Sequence, residues 1–319
     1  MDQREIMVSV IMLAYNSERY IRQALQSVLD QETDFRFEIL VGNDASQDRT
    51  GQIVEEMALS SDGRIRLFNR EKNLGSSRNA FELLMQSRGK YLAFCESDDY
   101  WLCRTKLQRQ VDFLERHADY IGCTHRCLLV DDGGTPKRRQ HLPWVKYKKR
   151  FRFRDFSGGR YLPGQTATVV KRNLFRDSEE DWSILYAIDS HISDRIANEI
   201  YLLRGDFYCF DETWSAYRCK SEHGGSNLTS RLFRDNTNKC EYELRMTEAL
   251  EKYAEQKLSH PVRFSLKRSD ILLDSVVELM RHRDGQHRAF AREMLKDSTT
   301  GEIAYLPLAF ARKAINTIR

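Results

Sequence analysis

Three times before Lys90, a short apolar run stops at a polar loop and gives way to residues recurring at helical spacing; no other feature constrains the fold as strongly. Val8-Ser-Val-Ile-Met-Leu-Ala14 is nearly continuous in apolar side chains, the pattern of a strand buried on both faces of a parallel sheet. Tyr15-Asn16-Ser17 ends it, Ser17 is expected to cap the next helix, and Ile21, Leu25, Val28 and Leu29 share one face of that helix. Phe37 to Gly42 reads as a second strand, leading through Asn43-Asp44-Ala-Ser46-Gln-Asp48-Arg-Thr50 to a helix with Ile53, Val54 and Met57 inward. Ile65 to Phe68 is a third, followed by Asn73-Leu-Gly75-Ser-Ser-Arg78-Asn79 and a helix carrying Phe81, Leu84 and Met85. Such alternation with short polar loops predicts an α/β fold, a mostly parallel sheet flanked by helices and joined by right-handed crossovers.

The next run, Tyr91-Leu-Ala-Phe-Cys-Glu96-Ser-Asp98-Asp99-Tyr-Trp101, leaves the sheet directly into three acids. Carboxylates so placed repel one another unless a cation or hydrogen-bond donors offset them. A magnesium-like ion takes one or two protein carboxylates and completes its shell with water and phosphate oxygens; a solvated acidic turn is the alternative for the cluster alone. Tyr15, Asp44, Arg78 and Asp98-Asp99 all stand on loops able to converge at the carboxyl edge of the sheet, where open α/β folds bind ligands. Singly, each is an ordinary turn residue. Together they suit a nucleoside diphosphate: a ring to stack on the base, Asp44 to accept from a base N–H, Arg78 to pair with phosphate and a metal to bridge the phosphates.

The composition excludes several classes. With 319 residues, 41% hydrophobic and 31% charged, the chain is long enough for a large core and reads as globular, and its net charge of +4 is too small to argue for nucleic acid. Seven scattered cysteines form no disulfide framework and fit a reducing compartment. Cys123-Thr-His125-Arg-Cys127 has zinc-like spacing but no second ligand pair, which favours buried thiols. No signal-peptide pattern and no run of ~18 apolar residues is seen, so a cytoplasmic location is expected, with peripheral attachment to the inner face of the plasma membrane as its variant.

In order and spacing, the segments ending at Tyr15-Asn16, Asn43 to Thr50, Asn73 to Asn79 and Glu96 to Trp101 resemble the family 2 inverting glycosyltransferases of GT-A fold, of bacterial surface-polysaccharide type. The resemblance runs from residue 6 to about 225 and is most specific before Cys103. It implies that Ala14, Tyr15, Asn16 and Asp44 hold the nucleotide base, usually uridine, that Arg78 lies near the ribose or phosphates, and that Asp98 reaches ribose, metal or both. Asp99 would ligate Mn2+ or Mg2+ directly. Many relatives have two acids where this chain has Asn43-Asp44, and Asp-x-Asp where it has Glu96-Ser-Asp98-Asp99. The Gln-x-x-Arg-Trp signature of processive synthases is absent, implying transfer of one sugar at a time.

Further along, Tyr161 to Ala167 resembles the acceptor side of the family's cleft, and Glu96, Trp101, Gln165, Thr166 and Arg218 are candidate donor or acceptor contacts. By the same resemblance Asp189 is the catalytic base, although Ile188 replaces the first acid of the usual pair; as a sequence feature alone it is an acid opening a helix over residues 191–200. Tyr217-Arg218 and His223-Gly-Gly-Ser226 resemble the close of the catalytic domain, with His223 a candidate third metal ligand.

These readings divide the chain into a GT-A domain, 1–225, with a nucleotide-binding half (1–103) and an acceptor half (104–225), and a C-terminal helical region, 226–319. In the latter, Glu241 to Lys257 and Phe264 to Arg281 have helical spacing. Trp144 to Arg154 packs six cations among aromatic and aliphatic residues, either a solvated loop or edge strand or a contact for an anionic membrane or a phosphate-bearing acceptor; the terminal segment 303–319 reads either as a helix lying on an anionic membrane or as one packed on its own domain. The expected partners are a nucleotide-sugar, UDP-linked first, and a glycan or lipid-linked glycan acceptor, with no nucleic acid. The rival functions are a nucleotidyltransferase acting on a triphosphate and a non-catalytic sugar-nucleotide-binding scaffold.

Overall fold

The computed structural model describes residues 5–140, 148–157, 162, 166–191, 194–219, 236–258 and 261–282, with short stretches between 289 and 309. The central strand β1 (Ile6–Ala14) runs parallel to β2 (Arg36–Asn43) on one side and to β4 (Tyr91–Phe94) on the other, and β3 (Ile65–Asn69) continues parallel beyond β2. Past β4 the sheet becomes mixed: β8 (Val170–Arg172) lies antiparallel between β4 and β6 (Tyr120–Val130), and β9 (Asp206–Arg218) runs parallel to β6. Two short strands, β5 (Tyr100–Trp101) and β7 (Arg150–Phe151), pair antiparallel with different parts of β9. The order is β3-β2-β1-β4-β8-β6-β9-β5.

Both faces of β1 are covered, as its unbroken apolar pattern requires. Val8, Val10, Met12 and Ala14 join Ile21, Ala24, Leu25 and Val28 of α1 (Ile21–Leu29) in one cluster, which also takes Ile53, Val54 and Met57 from α2 (Thr50–Leu59). On α3 (Ser76–Met85) the buried apolar residues are Ala80, Leu83 and Leu84; Met85, one of the apolar residues that mark the helix in the sequence, is 42% exposed. The other helices of this unit are α4 (Lys106–Arg116), burying Leu107, Val111 and Leu114, the start of a short α5 (Phe153–Ser157), α6 (Ile184–Ala187) and α7 (Asp194–Arg204). Residues 189–191, where a helix was expected to open, form a turn of their own; α7 is described from Asp194, and residues 192 and 193 lie outside the described residues.

Two side chains join the amino-terminal ends of the parallel strands. Ser9 Oγ of β1 donates to Glu38 Oε1 of β2 at 2.7 Å, and Arg66 Nη1 and Arg88 Nε reach Glu38 Oε2 at 2.9 and 3.0 Å. Burial alone would push the Glu38 carboxyl up, yet the donors from Arg88, Ser9 and Arg66 outweigh it and hold it below the usual carboxylate range. The basic run near residue 150 takes the edge-strand form: Arg150 and Arg152 both pair with Asp206, and Lys149 O accepts the Cys209 amide at 2.8 Å. Residues 144–147 of that run lie outside the described residues.

The chain separates into two compact units, residues 1–153 with 160–226, and 154–159 with 227–319. In the second, α8 (Asn236–Lys257) and α9 (Ser265–His282) pack around Cys240, Ile271 and Leu272, and a buried Lys267–Glu243 pair at 2.9 Å links them. Beyond Ala309 the terminal segment lies outside the described residues. Among those described, no helix is long and apolar enough to cross a membrane.

Replacing Glu38 by Gln leaves buried donors poorly matched and should lower stability at pH 7 by about 2 kcal/mol. Because the folded-state pKa is depressed, this contribution is present above the unfolded carboxylate value and lost as pH falls through the folded one. Urea denaturation should therefore show the difference between Glu38→Gln and the parent at pH 7 and its progressive loss as the pH is taken below the usual carboxylate range.

Candidate active site

Parallel strands β1, β2 and β4 release their loops at one edge of the sheet, where the backbone groups have no ladder partners. Side chains supply the bonds instead. Asn16, in the left-handed region at φ 49, accepts the Gln47 amide on Oδ1 at 2.8 Å while its own amide donates to Ser46 Oγ at 3.0 Å. Ala45, at φ 58, shares that conformation without the local bonding that makes it tolerable for Asn. Ser17 does not cap α1 with its hydroxyl: its carbonyl receives the Ile21 amide, and its Oγ lies 2.8 Å from Ser97 Oγ in the loop after β4. The β1 loop thus ties to the β2 loop on one side and to the acidic loop on the other. Tyr15 stands out from this lattice, 52% exposed, beside buried Ala14.

Asp44 is 4% exposed and accepts two backbone amides, Leu74 on Oδ1 at 2.7 Å and Gly75 on Oδ2 at 3.0 Å. It holds the loop that enters α3. Asn79, one turn into α3, donates through Nδ2 to Gly42 O at 2.8 Å, and any Cβ on Gly42 would meet Asn79 Oδ1 at 2.3 Å. Arg78 pairs with Glu82 through Nε at 3.0 Å and stands 4.4 Å over the Tyr186 ring of α6, which also meets Phe81 at 4.8 Å.

α3 carries the Asp189 turn on its first residues. Ser190 O accepts the Ser77 amide at 3.0 Å, and His191 O accepts Ser76 Oγ at 2.8 Å. Within the turn, the His191 amide donates to Asp189 Oδ1 at 2.7 Å and Ser190 Oγ lies 2.7 Å from His191 Nδ1. Asp189 is half-buried.

At the end of β4, Asp99 is 2% exposed, with Oδ1 accepting the Arg218 amide at 2.8 Å. Burial pushes its carboxyl well above the usual carboxylate range, the Asp98 charge adds to this, and the Arg218 amide opposes it. Arg218, 3% exposed, donates from Nε to Asp98 O at 2.8 Å, from Nη1 to Asp132 O at 2.7 Å and from Nη2 to Gln23 Oε1 at 2.9 Å. Its guanidinium therefore braces the acidic loop from below. Trp101 is likewise buried, donating to Ala167 O at 3.0 Å with Lys106 Nζ 4.0 Å from its ring.

The divalent cation implied by the resemblance is tested by one observation: Asp99 Oδ2 is buried and has no hydrogen-bond partner among the described residues. A carboxylate oxygen left bare beside Asp98 and Glu96 suits a cation. Among the described residues no three ligating side chains come together, there or at Cys123, His125 and Cys127. A cation would accordingly take Asp98 and Asp99 and complete its shell with water and substrate oxygens. Glu96 and Thr166 are half-buried, in the acidic loop and at the start of a 3-10 turn respectively. Gln165 and His223 lie outside the described residues.

The motifs did not single out Ser97, Tyr186 or Ser190, and they gave Ser17 the role of a helix cap. Gly75, a glycine placed just ahead of a helix between Leu74 and Ser76, carries a signal that a turn needs it.

Comparison with known proteins gives the family and the fold. The sequence model of glycosyl transferase family 2 matches residues 9–177, over half of the chain, and the chain belongs to that family. An uncharacterized protein of Mycobacterium tuberculosis is 37% identical over 138 residues, covering 43% of this chain and 40% of the relative. A Bacillus subtilis protein named as a teichuronic acid biosynthesis glycosyltransferase, TuaG, is 32% identical over 137 residues, 43% of this chain and 53% of its own. The matches thus span about half, or less, of these relatives' length. Among solved structures, residues 1–349 of S. aureus TarS in complex with UDP-GlcNAc align with a TM-score of 0.65 at 18% identity, covering 98% of this chain and 89% of that one, a likeness of fold.

Arg218→Ala would strip donors from the carbonyls at Asp98, Asp131 and Asp132 in a buried site and should cost about 3 kcal/mol in chemical denaturation.

Proposed function

We propose that this chain is a metal-dependent inverting glycosyltransferase that moves one sugar from a nucleotide-sugar, a UDP-sugar first, to a hydroxyl of a glycan or lipid-linked acceptor in surface-polysaccharide biosynthesis. The observation that carries the reading is the attachment of the Asp189 turn to the loop that Asp44 holds, at Gly75 to Ser77. It joins the proposed base to the proposed nucleotide loops.

In this reading the exposed Tyr15 ring stacks on the base, with Ala14, Asn16 and Asp44 shaping the pocket behind it. Asp189 takes the proton from the acceptor hydroxyl as that oxygen attacks the anomeric carbon, opposite the departing diphosphate, so a single displacement inverts the centre. The His191 amide on Asp189 Oδ1 fixes the direction of the carboxylate. A positioned base contributes about 10²- to 10⁴-fold in rate. Asp98 and Asp99 would hold a divalent cation, which when bound would supply positive charge to the leaving diphosphate oxygens.

UDP as donor is supported by the TarS complexes with UDP and UDP-GlcNAc, and a surface-glycan acceptor by the name of the B. subtilis relative. Residues 1–225 would carry the transfer and 226–319 would serve as an accessory helical region. A cytoplasmic location, with peripheral contact to the inner membrane face, is supported by the free state of all seven cysteines.

A panel of sugar nucleotides with manganese should show release of nucleoside diphosphate; pyrophosphate release would assign a nucleotidyltransferase, and binding without turnover a scaffold. Asp189→Asn should lower turnover by about 10²-fold or more while UDP affinity stays unchanged. Asp99→Asn keeps an acceptor for the Arg218 amide, and calorimetry should show that it removes most of the manganese-dependent gain in UDP affinity, about tenfold or more.

A further inference from the structure

We propose that Gly75 is a positioning residue for Asp189: the absence of a side chain there lets the Ser190 carbonyl seat against the entry of α3, and that contact sets where the Asp189 carboxylate stands. The proposal rests on the base role put forward for Asp189 and adds to it the part of the nucleotide half that aims the base.

Gly75 has φ 81 and ψ 152, a conformation that residues with a side chain rarely adopt. It is also in close contact. A Cβ built on it would meet Ser190 O at 2.6 Å and Ser190 C and Cβ at 3.4 Å. The obstructing atom belongs to the backbone, so a side chain would have to move the turn itself rather than rotate a neighbour aside.

Neither partner can yield elsewhere. On one side, Gly75 and Leu74 are anchored to Asp44 through their amides, and Asp44 is buried at the end of β2. On the other, Ser190 O is bonded to the Ser77 amide and His191 O to Ser76 Oγ. The turn is closed by the His191 amide on Asp189 Oδ1, so a shift at Ser190 is passed directly to the carboxylate. The Tyr186 ring, between Arg78 and Phe81, holds the preceding helix to the same face of α3. Relieving the overlap requires a displacement of about 1 Å, and misplacement of that size costs up to about 10²-fold in an oriented reaction.

The test is Gly75→Ala beside Ser76→Ala and Asp189→Asn, assayed for nucleoside diphosphate release with the sugar nucleotide selected by the panel, for UDP affinity by calorimetry and for exchange of the Ser77 amide hydrogen. Gly75→Ala should lower kcat about tenfold or more with donor KM and UDP affinity within about twofold, and should speed exchange at Ser77. Ser76→Ala, which removes only the half-buried hydroxyl bond to His191 O, should fold normally and lower kcat about threefold, keeping the idea open to refutation if Gly75→Ala is unstable. Unchanged kcat in a folded Gly75→Ala or in Ser76→Ala overturns the proposal, as does a loss confined to donor affinity, which would give Gly75 to the nucleotide loop alone. Inactive Asp189→Asn with fully active Gly75→Ala defeats only the positioning role, whereas active Asp189→Asn defeats the base assignment beneath it. If the panel finds no turnover, protected exchange at Ser77 that Gly75→Ala leaves unaltered is sufficient to overturn the contact.

Discussion

Where β1, β2 and β4 end side by side, a row of backbone amides and carbonyls leaves the sheet with nothing to pair with, and the molecule is organised by how these groups are satisfied. A buried amide or carbonyl left alone costs more than a hydrogen bond gains, so each loop must find partners among its neighbours. Asn16 donates its amide to Ser46 and accepts that of Gln47, joining the first two loops, Ser17 and Ser97 join the first to the acidic loop, and Asp44 receives the loop that opens α3. The candidate site is the surface of this lattice. Its side chains stand on loops that are individually irregular and collectively cross-braced.

Two buried carboxylates show how the same residue class is put to opposite uses. Glu38 and Asp99 are equally buried, at 2% exposure, and burial alone raises both. Glu38 receives Ser9, an amide and two arginines, so the donors win and the charge is stable. Asp99 receives one amide and faces Asp98 and Glu96, so the charge remains unfavourable. The first arrangement is complete in itself and serves the sheet. The second is incomplete, and a divalent cation would supply what it lacks. Arg218, whose guanidinium is directed at carbonyls below the loop, braces the acids without neutralising them.

Much of the architecture could be read from residue patterns because burial on both faces of a strand leaves a direct trace: Val8 to Ala14 can hardly be anything else. Expectations failed where one residue's environment depends on a distant partner. Met85 fits the apolar spacing of α3 as well as Leu83 does, yet the helix is rotated so that Leu83 is buried, a choice made by the elements packed against it. Ser17 has the right type and place for a helix cap, but Ser97 lies 80 positions away in sequence and claims its hydroxyl. At His191, where a helix was expected, the chain instead forms a turn closed by the His191 amide on Asp189 Oδ1.

Taken alone, the sequence determined the class of fold, the order of its loops along the carboxyl edge and the acids they carry, since these follow from local periodicity and from the chemistry of short motifs. Only the tertiary structure decided which of those side chains reach outward and which are bound within the scaffold. Asp44 holds two amides, Arg218 lies beneath the acidic loop, and Gly75 meets Ser190 across more than a hundred intervening residues. The reason is physical: hydrogen-bond satisfaction and steric exclusion act between atoms that the chain brings together only when it closes, and no spacing along the sequence records them.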